Sequence, residues 1–180
     1  MSMLDRTQME QQLAELPLYA YFFIDPEKLE FSERIRWICE HECPMYGTNW
    51  ACPPGVGTVA ECHARCGRYE NCLMMSTITE VSDISNLEET LESRHFHEDI
   101  TNQVRELFRE QGVEPYVLSC EACAQCKRCT ILDGEPCRFP EKMHPCVESH
   151  GINILSVIEE YGLTFQYGEN VVTWFSLLFF

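Results

Sequence analysis

Positive charge is scarce in this chain: 13 Lys and Arg stand against 29 Asp and Glu, for a formal charge of −16. The basic residues are scattered rather than gathered in a stripe, which argues against a nucleic-acid partner, because a phosphate backbone is held by clustered cations. The excess acid reads as a solvated, self-repelling surface. Long apolar runs are missing too. No stretch reaches the roughly 18 to 20 residues a membrane helix requires, and VVTWFSLLFF near the C-terminus reads as a buried strand. The opening MSMLDRTQMEQQLAEL has no basic region followed by an apolar one, so no export signal is read and the expected location is cytoplasmic. A nucleophile elbow, a phosphate loop, an H-E-x-x-H helix and a dinucleotide fingerprint are all absent, so any chemistry is expected to be that of a bound metal.

Sulfur, in contrast, is abundant: 12 Cys in 180 residues. Without an export signal such a pattern points to metal binding rather than to disulfides. The length suits a single domain, residues 1–180, that builds its core without staples. Residues 4 to 16 read as a polar helix, and YAYFFID (19 to 25) as a buried first strand. Ser32 is the expected N-cap of a short helix, SERIRWICE, that delivers Cys39. NCLMMSTITEV (71 to 81) reads as a strand, and Asn86 to Gln111 as a long helix capped by Gly112. PYVLS (115 to 119) is a short strand, INILSVIEEYG a helix, and TFQYG and VVTWFSLLFF strands about a turn. The expected fold is α/β, helices packed on a mixed sheet, with cysteine regions at 39–72 and 120–146 in irregular segments.

The second region, CEACAQCKRCTILDGEPCR, spaces Cys120, Cys123, Cys126 and Cys129 by three and adds Cys137. Three thiolates at i, i+3 and i+6 wrap one small inorganic core, and a more distant cysteine closes the fourth corner, the logic of ferredoxin-type ligation. Cys123, Cys126, Cys129 and Cys137 fit it as C-x2-C-x2-C-x7-C, and a triplet beginning at Cys120 fits as well. Zinc is the alternative, but its ribbons separate two C-x2-C knuckles by a longer loop, whereas here the knuckles run together. Gly134 permits the turn that returns Cys137, and Lys127, Arg128 and Arg138 stand where they can offset a cluster's negative charge.

The first region, CEHECPMYGTNWACPPG, gives C-x3-C-x8-C, with Gly47 letting the chain double back and Pro53-Pro54 holding an extended loop after Cys52. Tyr46 and Trp50 are candidates to shield a cluster from water. Three close cysteines leave either a fourth donor from elsewhere, with Cys62, Cys66 and Cys72 the nearest in sequence, or an open iron that binds a small-molecule substrate. Cys62 and Cys66 at i, i+4 would share a helix face, Cys72 reads as a buried inert thiol, and His41 and His63 read as surface residues.

The segments CEHECPMYGTNWACPP and CAQCKRCTILDGEPCRFPEKMHPCVESHGINI resemble those of a family of cysteine-rich prokaryotic predicted metal-binding proteins, a domain of unknown function frequent in anaerobes. The resemblance implies Cys39, Cys43 and Cys52 in the first segment and Cys123, Cys126, Cys129 and Cys137 in the second as cofactor ligands, and one or two iron-sulfur clusters as the cofactor. It favours Cys123 over Cys120 as first ligand of the second site. Cys62, Cys66, Cys72, Cys120 and Cys146 are additions to the family pattern, Cys146 standing where the family usually has Ser, and are further candidates to complete the first site or build a third. The expected role is electron transfer by two [4Fe-4S] clusters with a redox partner protein. An enzyme with an open iron at the first site, or a zinc-stapled interaction module, are the other readings.

Overall fold

A computed structural model describes residues 4–180. Four strands, β1 (Ala20–Ile24), β2 (Cys72–Glu80), β3 (Tyr116–Leu118) and β4 (Val171–Phe179), form one sheet in the order β1-β2-β4-β3. Every pairing is antiparallel, so the α/β class holds but the sheet is not mixed. The chain places its two long apolar strands side by side, with Cys72 opposite Phe179 at one end and Glu80 opposite Val171 at the other.

Alternation along these strands sends successive side chains to opposite faces. Leu73, Met75, Val117 and Leu178 face α1 (Arg6–Leu13) and α4 (Leu87–Glu110), meeting Met9, Leu13, Ile100, Val104 and Phe108. Cys72, Met74, Leu118, Leu177 and Phe179 face the other way, onto Ile154, Val157 and Ile158 of α5 (Ile154–Glu160) and onto Cys66 of α3 (Val59–Cys66). The sheet is therefore the middle of three layers. This is why β2 and β4 read as near-continuous apolar runs rather than alternating ones.

Helix boundaries follow their caps. Asp5, Ser32, Thr58 and Asn86 each accept a backbone N–H of the first turn of α1, α2 (Glu33–His41), α3 and α4 respectively, and Thr58 and Glu61 close a reciprocal capping box. Two expectations change. β1 is an edge strand with only Ile24 buried, because among the described residues no strand pairs with its outer side. TFQYG forms no strand: its residues are spent on side-chain packing, with Phe165 stacked on Phe175 and Tyr167 tilted against Tyr19.

Polar groups interrupt the interface between α4 and the sheet. His97, fully buried, bonds Thr77 Oγ1 through Nδ1 at 2.9 Å and Ser176 Oγ through Nε2 at 2.7 Å. The chain of contacts continues from Ser176 to Thr101 at 3.0 Å and to Ser119 at 3.3 Å, and from Ser119 to Glu98 at 2.5 Å. Burial drives the His97 pKa down to about 3, so the ring is neutral in the folded state. An unfolded histidine takes up a proton below about pH 6.5 while the folded one does not, and stability is lost as pH falls through that window. His97→Asn should remove this dependence: between pH 7 and pH 5 the wild type should lose about 2 kcal/mol more than the variant in denaturant titrations. Equal losses in the two proteins would show that the ring is protonated or exposed.

Candidate metal centres

β3 ends at Leu118, and the chain leaves the sheet into the second cysteine segment. Its two ends are tied together: Ser119 N–H donates to Pro145 O at 2.8 Å, and Val147 N–H donates to Ser119 O at 3.0 Å. The intervening residues are thus a loop closed at its base. Within it a 3₁₀ turn (Thr130–Asp133) ends on Gly134 in the left-handed conformation (φ 72°), and Thr130 Oγ1 donates to Pro136 O at 2.8 Å. That turn folds Cys137 back towards Cys129.

Cys123, Cys126, Cys129 and Cys137, all half-buried, line one small pocket with Gln125, Thr130, Trp50 and Met143. Burial pushes the Cys123 thiol up, the Gln125 backbone N–H aimed at it acts in the opposite sense, and the other three thiols add to the rise. Among the described residues no three His, Cys, Asp or Glu side chains converge in the geometry of a single metal ion. Of the basic residues beside the four cysteines, Arg128 is paired with Asp133 at 2.6 Å, and Arg138 donates to Arg128 O at 3.1 Å.

The first segment starts from the last turns of α2, which carry Cys39. Gly47 (φ 69°) donates its N–H to Pro53 O at 2.8 Å, doubling the loop back as the sequence suggests, and Asn49 Oδ1 accepts Ala51 N–H at 3.0 Å. After Cys52 the chain makes compact turns, Gly57 N–H returning to Pro54 O at 3.0 Å, rather than the extended run expected of two prolines. Cys39, Cys43 and Cys52 lie near enough for their charges to act on one another. Burial pushes Cys39 up to about 11, with Cys43 and then Glu148 adding to it. Cys52 is pushed up to about 12, again first by burial, with Cys43, Cys39 and Glu121 contributing against a lowering bond from Asn49.

The additional cysteines divide between three places. Cys146 stands beside Cys52: its N–H donates to Ala51 O at 3.2 Å, and its thiol to Glu148 Oε2 at 2.8 Å. Cys62 and Cys66 do share the inner face of α3, but they turn into the core, not towards Cys39, Cys43 and Cys52. Cys62 lies 3.6 Å from Arg36 and 3.5 Å from Val56 O, and Cys66 packs by Cys72. Cys72 is fully buried, the inert thiol expected. Cys120 points away from the pocket of Cys123, towards Val81, Val172 and Trp174, with Ser119 Oγ 4.0 Å from its sulfur. His41 and His63 are exposed, the first stacked on Trp37.

Sequence reasoning missed how the segments interlock. Trp50, from the first, lines the pocket of the second and donates Nε1–H to Glu135 O at 3.2 Å. Glu121, from the second, lies near Cys52 of the first group and near Glu148, and is the one non-glycine residue in the left-handed region among those described (φ 58°). A residue with a Cβ costs about 1–2 kcal/mol there. The sole hint in the sequence was Cys146, where the resembling family has Ser.

Thiolate, not thiol, reacts with alkylating agents. In the metal-free protein at pH 8, iodoacetamide should label Cys126, Cys129 and Cys137 while Cys52, Cys66, Cys72 and Cys146 react at least ~100-fold more slowly, as read by peptide mass spectrometry, and denaturant should make all equal. Labelling of Cys66 as fast as Cys126 would show that the α3 face is open.

No curated protein and no solved structure gives a significant match. The family described as "Predicted metal-binding protein (DUF2284)" matches residues 22–180, which takes in both cysteine segments and all four strands but for the first two residues of β1. No described helix is long and apolar enough to cross a membrane. With its sulfur-lined pocket and the family match covering most of its length, the chain belongs to this family of predicted metal-binding proteins.

Proposed function

We propose that the chain is a cytoplasmic iron-sulfur protein with two [4Fe-4S] clusters that exchanges electrons with a partner protein. Cys123, Cys126, Cys129 and Cys137 would hold one cluster, and the group of Cys39, Cys43 and Cys52 the other. The observation that carries the reading is that the four thiols of the C-x2-C-x2-C-x7-C run line a single pocket. A zinc ribbon separates its two C-x2-C knuckles by a longer loop, whereas here the knuckles run together as in ferredoxin-type ligation.

A cluster, when bound, supplies reversible one-electron transfer. The chain supplies the surroundings. Trp50 and Met143 form an apolar wall that keeps water from the sulfurs, and the Gln125 N–H is aimed at Cys123; both influences tune a cluster's potential. Arg128, already paired with Asp133, contributes less positive charge than its position in the sequence suggests.

Anaerobically purified protein should contain about eight irons and as many sulfides per chain and give a one-electron EPR signal on reduction, and Cys126→Ser should lower the iron by about half. One zinc per cysteine group with no visible charge-transfer absorption would overturn the reading and favour a zinc-stapled interaction module.

A second reading rests on the first group. Three thiols lie near one another there, while Cys146, beside Cys52, is engaged by Glu148, and the carboxylates of Glu121 and Glu148 lie near Cys52 and Cys39 respectively. Three ligands would leave one iron open to a small substrate, with carboxylates in reach to move protons. Under this reading Cys146→Ser keeps the full iron content and an unchanged EPR signal. Loss of the first-site signal in that variant would make Cys146 the fourth ligand and sink the open-iron enzyme.

A further inference from the structure

A cavity of about 470 Å³ lies next to the sulfur pocket and shares Trp50 and Met143 with it as a common wall. This is the size of an ordinary small-molecule site. Its lining is divided about evenly between polar and apolar surface, and the apolar part includes the flat side chains of Trp50, Tyr69, Tyr116, Pro115 and Pro145. The Tyr69 and Tyr116 rings lie nearly parallel, 7° apart.

Two guanidinium groups line this cavity, and they differ in their partners. Arg105 is committed, bonded to Glu114 at 2.7 Å and 3.1 Å and to Glu141 O at 2.7 Å. Arg65 is half-buried and donates to Val56 O at 3.2 Å and to Tyr116 Oη at 3.3 Å, with His150 Nε2 at 3.4 Å. Among the described residues it meets no carboxylate at ion-pair distance. Cys62 is a further partner, so Arg65 is hydrogen-bonded, yet no carboxylate offsets its charge at the wall of this cavity. The acid that is present, Glu114 and Glu141, also lines the cavity and disfavours ligands of more than one negative charge.

We propose that this cavity binds a small organic carboxylate with a flat apolar body, its carboxylate on Arg65 beside Tyr116 and its body against Trp50 and the proline-lined wall. A ligand seated there stands one side-chain layer from the sulfur pocket, but its binding does not require a cluster in that pocket.

Benzoate and its neutral counterpart benzamide test this by calorimetric titration of the anaerobically purified chain, with the metal content of each preparation measured alongside. Benzoate should bind at one site, and benzamide at least ~10-fold more weakly. Arg65→Gln should weaken benzoate at least ~10-fold, with Arg65→Lys in between, because a lysine keeps the charge without the planar fork. If Arg65→Gln fails to fold, two variants that spare Arg65 decide the matter. Tyr116→Phe should weaken benzoate a few-fold while leaving the ring in place, and Pro140→Trp, on the exposed rim, should obstruct entry. Absence of benzoate binding, equal affinity for benzamide, or indifference to these substitutions overturns the proposal. Such a result at full iron content would leave the cluster reading standing, and benzoate binding to a zinc-loaded chain would separate the two in the other direction.

Discussion

Three consecutive residues, Pro145 to Val147, hold both cysteine segments to the sheet. The Pro145 carbonyl and the Val147 N–H clasp Ser119 at the end of β3, and the Cys146 N–H takes the Ala51 carbonyl beside Cys52. Without this clasp the second segment would be a long irregular excursion with a freely moving base, and the first would have no backbone tie to it. With it, two stretches lacking regular structure inherit the rigidity of a four-stranded sheet covered on both faces.

The interlock between segments extends the same principle to side chains. Trp50 crosses to the sulfur pocket of the second segment, and Glu121 crosses to the thiols of the first. Each group is therefore completed by its counterpart, and the two form on a shared scaffold rather than as separate modules. The left-handed backbone at Glu121 fits this picture, because a turn that a glycine would make at no cost is made here by a residue whose carboxylate has somewhere to go.

Much of this architecture was legible in the chain. The cap at Ser32, the turns at Gly112 and Gly134 and the long apolar strands were visible because each rests on local chemistry: a side-chain oxygen before a helix, an absent Cβ, a run too apolar for the surface. The triplet spacing of Cys123, Cys126 and Cys129 brought those sulfurs together for the same reason, three residues being about one tight turn. Non-local matters were not legible. The all-antiparallel pairing, the edge position of β1 and the loss of TFQYG as a strand depend on which partner wins a sheet edge. Cys146 was among the candidates but its place was not legible for a related reason: it lies far from Cys52 in sequence, while Cys62 and Cys66 lie near it and yet are buried elsewhere.

The clasp at Ser119 also has an evolutionary side. A segment that departs from and returns to adjacent points of a scaffold behaves as an interchangeable cassette: its length and contents can drift while the strand order stays the same. Chains built on this sheet are then free to trade one inorganic cargo for another, or to lose it, at little cost to folding. What limits such exchange is Trp50, which ties the contents of the cassette to a side chain encoded some seventy residues upstream.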